Sequence, residues 1–526
     1  MQTENGNLKL TVSPRGETGV KLVPEEDARF DLKLRNGGSI PVDVPNLDGN
    51  DFTPELRVFD AAGKLVLQAT PRDLFDRYSI LPPAAKSLRD RAPRKTSMVT
   101  LAPGEELDSE FNVWSHASPL SKGRYELAVS HRMGPGSAQA IEGNRVAFEV
   151  EAASVSEVAL GYQKSSRRES VTAWIAAPAG GGPPRVLLRL STLYRYSATQ
   201  TSGSRVGEVP AGTRLALSAG SPPKSTSVFS WLAVAGPRVV YLIQQTEGHA
   251  YWRSGPVPLP AQDIHPVPGF PDRDDHAVFL ATGKDGSGRP VLTGFVVRAV
   301  EERPPLKPWS VPLKTQPTVS ACIFGGTKEI AVLLVTGGPA AAAISRIDVQ
   351  EDGTLAAPEA EVRATPNEVL AVFADQRERQ RPSFLVLEAD RRRPDRLTLV
   401  TVPPRGAPQV RELGAVAGWP VMVEKVEQRF PPAEGRPAET RTVEVKRPSR
   451  AVRVFLATSW EGAPLLALID ELGRYYGGGL DGGALWRMDR DDGPRIALPH
   501  IAAFSRNPVA FAGFTAAGSL AHLSGR

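Results

Sequence analysis

The sequence has almost no cysteine and few histidines. Cys322 is the only cysteine in 526 residues, which excludes an intramolecular disulfide bond and a thiolate cluster around a metal. The seven histidines are scattered, and no two have the i, i+4 spacing of a helical zinc site. We therefore expect a protein without a metal or another cofactor.

Familiar catalytic motifs are also missing. The chain contains no Gly-x-Ser-x-Gly elbow and no phosphate-binding loop that ends in Gly-Lys-Ser or Gly-Lys-Thr. A catalytic triad assembled from distant residues stays open, because triads are defined by geometry rather than by chain order. The sequence therefore leans away from an enzyme without excluding one.

Neither a long apolar run nor an excess of one charge is present. The longest apolar window, from Ile330 to Ile344, is interrupted by Gly337, Gly338 and Pro339, and we expect no membrane span. The 63 basic and 58 acidic residues are mixed along the chain, so no nucleic-acid partner is expected. The polar first twenty residues predict no signal peptide and a cytoplasmic location, or an extracytoplasmic one if a leader has been removed.

What the sequence does contain is a repeat. The five residues Val278–Thr282 return as Val454–Thr458, and a relaxed form of the pattern recurs at Trp174–Ala177 and Trp231–Val234. Each copy is followed by a turn rich in Gly, Pro or charge and then by a second apolar run, which predicts a β-hairpin. A repeat architecture is the first hypothesis.

The spacing of these hairpins indicates a β-propeller. Anchor residues recur with a period of about 50 to 57 residues, which is room for four short strands. For residues 319–362 we expect four consecutive strands. Seven blades are favoured and six are possible, and residues 154–526 form the predicted propeller domain. The anchors are Trp174, Trp231, Phe279, Val332, Phe384, Phe455 and Phe511.

Residues 1–153 show short alternating runs typical of a β-sandwich. Phe30, Leu32 and Leu34 alternate with charged residues, which predicts a half-buried strand. The runs Leu56–Phe59 and Leu65–Leu67 flank a hairpin-length loop. The segments Leu101–Glu106 and Gly123–Leu127 resemble a pattern of bacterial Ig-like accessory domains and of small intracellular proteinase inhibitors. That resemblance implies an Ig-like sandwich, and the fold class is therefore all-β throughout.

The stretch from Tyr475 to Trp486 is the most distinctive candidate site. Its many glycines with aromatic margins predict an exposed recognition loop, in which Tyr475, Tyr476, Asp481 and Trp486 bind a partner. Packing of these rings in the core is the alternative. The dense arginine run between Arg377 and Arg396 is interpreted as ordinary solvated turns, because a strand separates its two halves.

These patterns favour a non-catalytic interaction protein. Its propeller and sandwich loops would bind a protein partner or a glycan, an inference by analogy from the fold. A propeller hydrolase or lyase with a site at the central channel is one alternative. A structural envelope or assembly component is another, and the oligomeric state stays open.

Overall fold

A computed structural model describes most of the chain. The described residues are 7–15, 21–45, 55–69, 98–115, 120–133, 140–162, 169–192, 204–220, 229–235, 240–246, 249–252, 263–266, 276–298, 308–324, 329–337, 341–350, 352–375, 383–403, 406–430, 439–458, 464–480, 484–487, 502–504, 510–514 and 520–524. Their regular elements are strands, apart from a 3-10 turn at Val113–Ser115, which confirms the all-β prediction. Within these ranges, no helix has the length and apolar character to cross a membrane.

The chain divides into two compact units. The first comprises the described residues of Met1–Val155 and Ser166–Val209. The second comprises those of Ser156–Ser165, Pro210–Ala516 and Leu520–Arg526. The sequence predicts a domain boundary between residues 153 and 154, with each part able to fold on its own. That boundary stays a prediction.

The described residues of the first unit begin with eleven strands. Order along the sheets is β1-β3-β8 in one and β2-β11-β9-β5-β6 in another, with β10 on β9 and a separate β4-β7 pair. The strands are β1 (Leu8–Pro14), β2 (Lys21–Leu22), β3 (Arg29–Asn36), β4 (Val42–Pro45), β5 (Glu55–Asp60), β6 (Leu65–Ala69), β7 (Met98–Leu101), β8 (Glu106–Asn112), β9 (Gly123–Arg132), β10 (Ala140–Glu142) and β11 (Val146–Val150).

The two larger sheets share one hydrophobic core. Phe30 on β3 stacks on Phe111 of β8 and meets Phe148 of β11 edge-on, with ring centroids 5.8 and 5.9 Å apart. Phe30, Leu32 and Leu34 are fully buried, as their alternation predicts, and β5 pairs with β6 as expected. A sandwich is therefore present, whereas its Ig-like topology stays a prediction.

Three further strands of the first unit form an antiparallel meander. They are β13 (Glu169–Pro178), β14 (Arg185–Thr192) and β15 (Ser204–Glu208). Arg185 on β14 donates from Nη1 to Oε2 of Glu26 at 2.8 Å, and Nη1 of Arg205 lies 3.9 Å from Oε1. Glu26 is buried, and its backbone carbonyl accepts the indole N–H of Trp114 at 2.8 Å. This ion cluster joins the turn after β2 to β14 and β15.

The second unit is a series of antiparallel meanders. Strand β12 (Ala153–Tyr162) crosses the division between the units and brings residues 156–162 into it. Sheets A to E have four strands each and sheet F has three among the described residues. Sheet A has β16 (Arg214–Gly220), β17 (Phe229–Ala235), β18 (Val240–Thr246) and β19 (His249–Trp252). Sheet B has β20 (Asp263–Pro266), β21 (His276–Lys284), β22 (Pro290–Arg298) and β23 (Trp309–Pro312).

The remaining sheets continue the same order. Sheet C has β24 (Val319–Phe324), β25 (Glu329–Gly337), β26 (Ala342–Gln350) and β27 (Leu355–Thr365). Sheet D has β28 (Glu368–Asp375), β29 (Ser383–Ala389), β30 (Arg396–Val402) and β31 (Gln409–Ala415). A hairpin of β32 (Val421–Phe430) and β33 (Glu439–Pro448) follows. Sheet E has β34 (Ala451–Thr458), β35 (Pro464–Asp470), β36 (Tyr475–Gly479) and β37 (Trp486–Arg487), and sheet F has β38 (Ala502–Phe504), β39 (Ala510–Phe514) and β40 (Leu520–Ser524).

The first strands of successive sheets touch one another. The series runs from β16 to β20, β24, β28, β34 and β38 in turn. The second strands of sheets D and E are deeply buried: β29 is almost entirely enclosed, and every residue of β35 is buried. Sheet C confirms the four strands predicted for residues 319–362. The choice between seven blades and six stays a prediction.

The repeated pentapeptide does not occupy equivalent positions. Val278–Thr282 lies in β21, the second strand of sheet B, whereas Val454–Thr458 lies in β34, the first strand of sheet E. Phe279 is fully buried and Phe455 is only partly buried. The anchor Phe455 therefore lies in a first strand, whereas Leu465 and Leu466 lie in the second strand of sheet E, and strand position rather than local sequence sets the burial.

Candidate functional site

The predicted recognition stretch is mostly a strand. Tyr475 and Tyr476 begin β36, pair with Ile469 and Leu468 of β35, and are 1% and 7% exposed. The expectation of an exposed loop is therefore wrong for both tyrosines, because hydrogen bonding to β35 places their rings in the core of sheet E. Asp481 lies outside the described residues. Trp486, on the short outer strand β37, is 38% exposed, and its binding role stays a proposal.

A cavity of about 650 Å³ lies where the first strands of sheets C, D and E begin. Val319 of β24, Glu368 of β28 and Ala451 of β34 all line it. Gly337 at the end of β25 lines it too and has a φ of 137°; a Cβ there would lie only 2.4 Å from the Ala341 carbonyl oxygen. Volumes of this order are typical of small-molecule sites.

A buried carboxylate fixes the wall of this cavity. Glu388 on β29 has no exposed surface, and Nε of Arg363 donates to its Oε1 at 2.9 Å. The Thr365 hydroxyl and the Asn367 amide donate to Oε2 at 2.8 and 3.2 Å. Satisfied buried networks of this kind hold one conformation. The network therefore fixes the conformation of the turn that leads to Glu368.

The turn after β29 supplies two further charges. Arg391 donates from Nε to the Pro366 carbonyl at 2.7 Å, which ties it to the same wall. Asp390 accepts the backbone N–H groups of Arg392 and Arg393 at 2.7 and 3.2 Å. The hydrogen bond from the Arg392 amide is the largest of the effects that lower the pKa of the Asp390 carboxyl. Asp390 therefore carries a negative charge at neutral pH.

The residues that flank the β32–β33 hairpin also line the cavity. Trp419 precedes it, is 7% exposed, and donates its indole N–H to the Ser449 carbonyl at 2.9 Å. Arg450 follows the hairpin, and its backbone N–H donates to Oε1 of Glu471 at 2.9 Å. Both Trp419 and Arg450 line the cavity. The hairpin insertion therefore begins and ends at this site.

One arginine anchors that hairpin to sheet E. Arg447 donates to both carboxylate oxygens of Glu471, at 2.8 and 3.1 Å, and to Glu424 at 2.7 Å. The hydrogen bonds from Arg447, opposed in part by desolvation, lower the pKa of Glu471 to about 2. The Glu471 carboxylate is therefore negatively charged over the whole pH range in which most proteins are folded.

Two charges in the cavity have no partner among the described residues. Within the part of the chain that the structure describes, neither the Glu368 carboxylate nor the Arg450 guanidinium makes a hydrogen bond or ion pair. With Asp390 and Arg391 they give the cavity two carboxylates and two guanidinium groups. The described residues that line the cavity therefore offer both donors and acceptors, and their charges sum to zero.

The other sequence candidates contribute less. Arg393 pairs with Asp395, and Arg392 is exposed, as the solvated-turn interpretation predicts. Residues 376–382, with Arg377, Arg379 and Arg381, lie outside the described ranges. In the described ranges, no three of His, Cys, Asp and Glu are placed to hold a metal ion together. The expectation that the protein needs no metal stays a prediction.

Comparisons with known proteins give only distant likenesses. No family model matches the chain, and no curated protein does. Among solved structures, the chain is similar to a lectin of Aleuria aurantia in complex with Fucα1-6GlcNAc. Identity is 10%, the match covers 64% of this chain and 93% of that one, and the TM-score is 0.35.

Two other structures show weaker likenesses. BBS1N in complex with ARL6DN is 8% identical, with 67% of this chain and 86% of that one covered and a TM-score of 0.32. A structure described as a glycoside hydrolase is 14% identical, with 59% and 80% covered and a TM-score of 0.23. Likenesses with TM-scores this low carry no argument about what the chain binds or does.

Sequence reasoning missed the cavity. Glu368, Asp390, Trp419 and Arg450 gave no signal because they belong to four separate connections that the fold brings together. Arg391 lay inside the dense arginine run, but nothing in that run distinguished it from its neighbours. The one available signal was position: each of these residues lies within two residues of the beginning or end of a strand or of the hairpin.

Proposed function

We propose that the protein is a non-catalytic binding protein in which residues 154–526 form a β-propeller, with a neutral glycan bound in the cavity of sheets C, D and E. Four-stranded meanders whose first strands touch in sequence support a propeller. Seven blades are favoured and six remain the alternative. The Ig-like sandwich would present further loops, and Trp486 would contribute to a surface for a protein partner.

The balance of charge in the cavity carries the glycan proposal. Sugar hydroxyls both donate and accept hydrogen bonds, so they suit Glu368 as an acceptor and Arg450 as a donor at once. A strongly acidic ligand would be attracted by the two guanidinium groups but repelled by the two carboxylates. For a strongly basic ligand the reverse holds. The Trp419 ring adds an apolar surface beside these groups, as small-molecule sites commonly do.

A hydrolase or lyase is the second candidate, because Glu368 and Asp390 are two carboxylates in one cavity. Glycoside hydrolysis requires one carboxyl group that keeps its proton to act as an acid. The lowered pKa of Asp390 and its two backbone hydrogen bonds suit the base or nucleophile of such a reaction, which leaves Glu368 as its acid. The two guanidinium groups beside these carboxylates favour a ligand with both donors and acceptors, and catalysis stays the second candidate.

The test is a carbohydrate array of neutral and charged oligosaccharides with the full chain. We expect retention of neutral glycans and a loss of roughly tenfold or more in affinity for Arg450→Ala, since a charged hydrogen bond contributes about 1.5–3 kcal/mol. Arg392→Ala, in a neighbouring turn but outside the cavity, is the matched control and should bind normally. Retention of no glycan, or equal affinities for the two variants, would contradict the proposal. Release of shortened sugars would favour the enzyme.

A further inference from the structure

The β32–β33 hairpin leaves one long strand edge unpaired. β32 pairs with β33 from Val421 to Phe430, and its other edge meets no strand among the described residues. Val423 and Val426 are 50% and 43% exposed. A flat, exposed strand edge is a template for pairing with another strand.

The hairpin is held firmly at its base. Arg447 connects it to Glu471, and Nη2 of Arg474 donates to the Val421 carbonyl at 3.2 Å. A two-stranded hairpin has little stability of its own in water. The exposed length of the hairpin is therefore supported only at its base. Pairing with a partner strand would stabilise the rest of it.

The sequence of β32 is complementary to itself in the antiparallel sense. If two copies meet with Val426 opposite Val426, then Lys425 of each copy faces Glu427 of the other. Glu424 faces Gln428 in the same register. In the described ranges, neither Lys425 nor Glu427 has an ion-pair partner within its own chain. Opposite charges directly across a strand pair stabilise it.

We propose that β32 pairs with β32 of a second copy of this chain, in an antiparallel two-fold dimer centred on Val426. The same patch serves both copies, as a closed two-fold interface requires. The two hairpins then form one four-stranded sheet. Because a single strand pair buries little surface, the dimer is weak and reversible.

The edge of β33 is a poorer candidate. Glu444 and Lys446 flank Val445 and would also be complementary in a two-fold pairing. That register includes Pro448, which has no N–H to donate, and Arg447, whose guanidinium is held by Glu424 and Glu471. It also extends over fewer residues of the strand than the register centred on Val426. The β32 edge is therefore the interface.

The experiment measures self-association of the full chain by sedimentation equilibrium over a range of concentrations. Lys425→Glu and Glu427→Lys should each weaken the dimer by roughly tenfold or more, because each places like charges opposite one another. An equal mixture of the two variants should associate, since every charged pair between the two strands is then of opposite sign. The double exchange Lys425→Glu/Glu427→Lys should dimerise like the natural protein.

Circular dichroism checks that each variant is folded. If Lys425→Glu is unfolded, the test uses Glu427→Lys alone. Lys446→Glu, on the other strand, should leave the dimer unchanged. A monomer at every concentration would overturn the proposal. So would association that is insensitive to Glu427→Lys, failure of the mixture to associate, or a dimer lost only with Lys446→Glu.

Discussion

The buried Glu388 on β29 and the partly exposed Arg363 on β27 form an ion pair between sheets D and C, with Nε and Oε1 2.9 Å apart. The pair does more than join two sheets, because Glu388 also receives the Thr365 hydroxyl and the Asn367 amide. It therefore shapes the turn that carries Glu368 into the cavity.

Glu388→Gln should destabilise the second unit. The amide cannot accept all three hydrogen bonds, and it leaves the Arg363 guanidinium without an opposite charge. We expect a loss of about 2–4 kcal/mol in the free energy of unfolding, measured by urea denaturation. Glu361→Gln, an exposed glutamate on the same β27 strand, is the control. Equal midpoints for the two variants would show that the network contributes nothing.

Loss of Arg185 should make the first unit sensitive to pH. Burial, opposed in part by Arg185, raises the pKa of Glu26 above its ordinary 4.5. A group of this kind contributes full stability below that ordinary value and loses it as pH rises through its folded pKa. Without Arg185 the charged form loses its nearest partner, so Arg185→Ala should cost about 3–5 kcal/mol near neutral pH and less near pH 4.5.

Urea denaturation at the two pH values, with Arg124→Ala as an exposed control, measures this difference. A cost that does not change with pH would mean that Arg185 acts through packing alone.

The aromatic residues of sheet E should separate into two classes. Tyr475→Ala removes a buried ring and should cost about 3–5 kcal/mol of stability. Trp486→Ala should change stability by no more than about 0.5 kcal/mol, because the ring is exposed, and should weaken capture of a protein partner. Thermal unfolding and pull-down assays on both variants test this. A strongly destabilised Trp486→Ala would place that ring in the core.

Acid should loosen the hairpin of the natural protein by protonating Glu471. The pKa of Glu471 is lowered to about 2, so its contribution is complete above 4.5 and is lost as pH falls from there towards 2. Protease cleavage within β32 and β33 should therefore increase over that range. In Glu471→Gln cleavage should be fast already at neutral pH. Cleavage of the natural protein that is independent of pH would contradict this role.

Sequence patterns predicted well which segments form strands. They predicted less well which strand of a sheet each segment becomes and how deeply it is buried. The alternation of Phe30, Leu32 and Leu34 and the four strands of residues 319–362 follow from local periodicity, which the backbone must satisfy wherever the strand lies. The pentapeptides at Val278 and Val454 show the limit. Identical residues occupy a second strand in one sheet and a first strand in another, because pairing with neighbours is decided by the whole meander.

The candidate site shows the same limit more sharply. Tyr475 and Tyr476 looked like recognition residues because glycines follow them, yet those glycines continue β36 against β35. Glu368, Arg391 and Arg450 are far apart in sequence and meet only where sheets C, D and E begin. Such a meeting depends on the order of sheets, which no local pattern contains.

Hydrogen–deuterium exchange tests the central claim most directly, with the full chain measured alone and with the neutral oligosaccharide that the array retains most strongly. A ligand in the cavity should slow exchange of backbone amides at residues 368–370, 389–391 and 450–451, which line it. Arg392→Ala should show the same protection and Arg450→Ala much less. Protection confined to other segments, or equal protection in both variants, would contradict a binding site at this cavity.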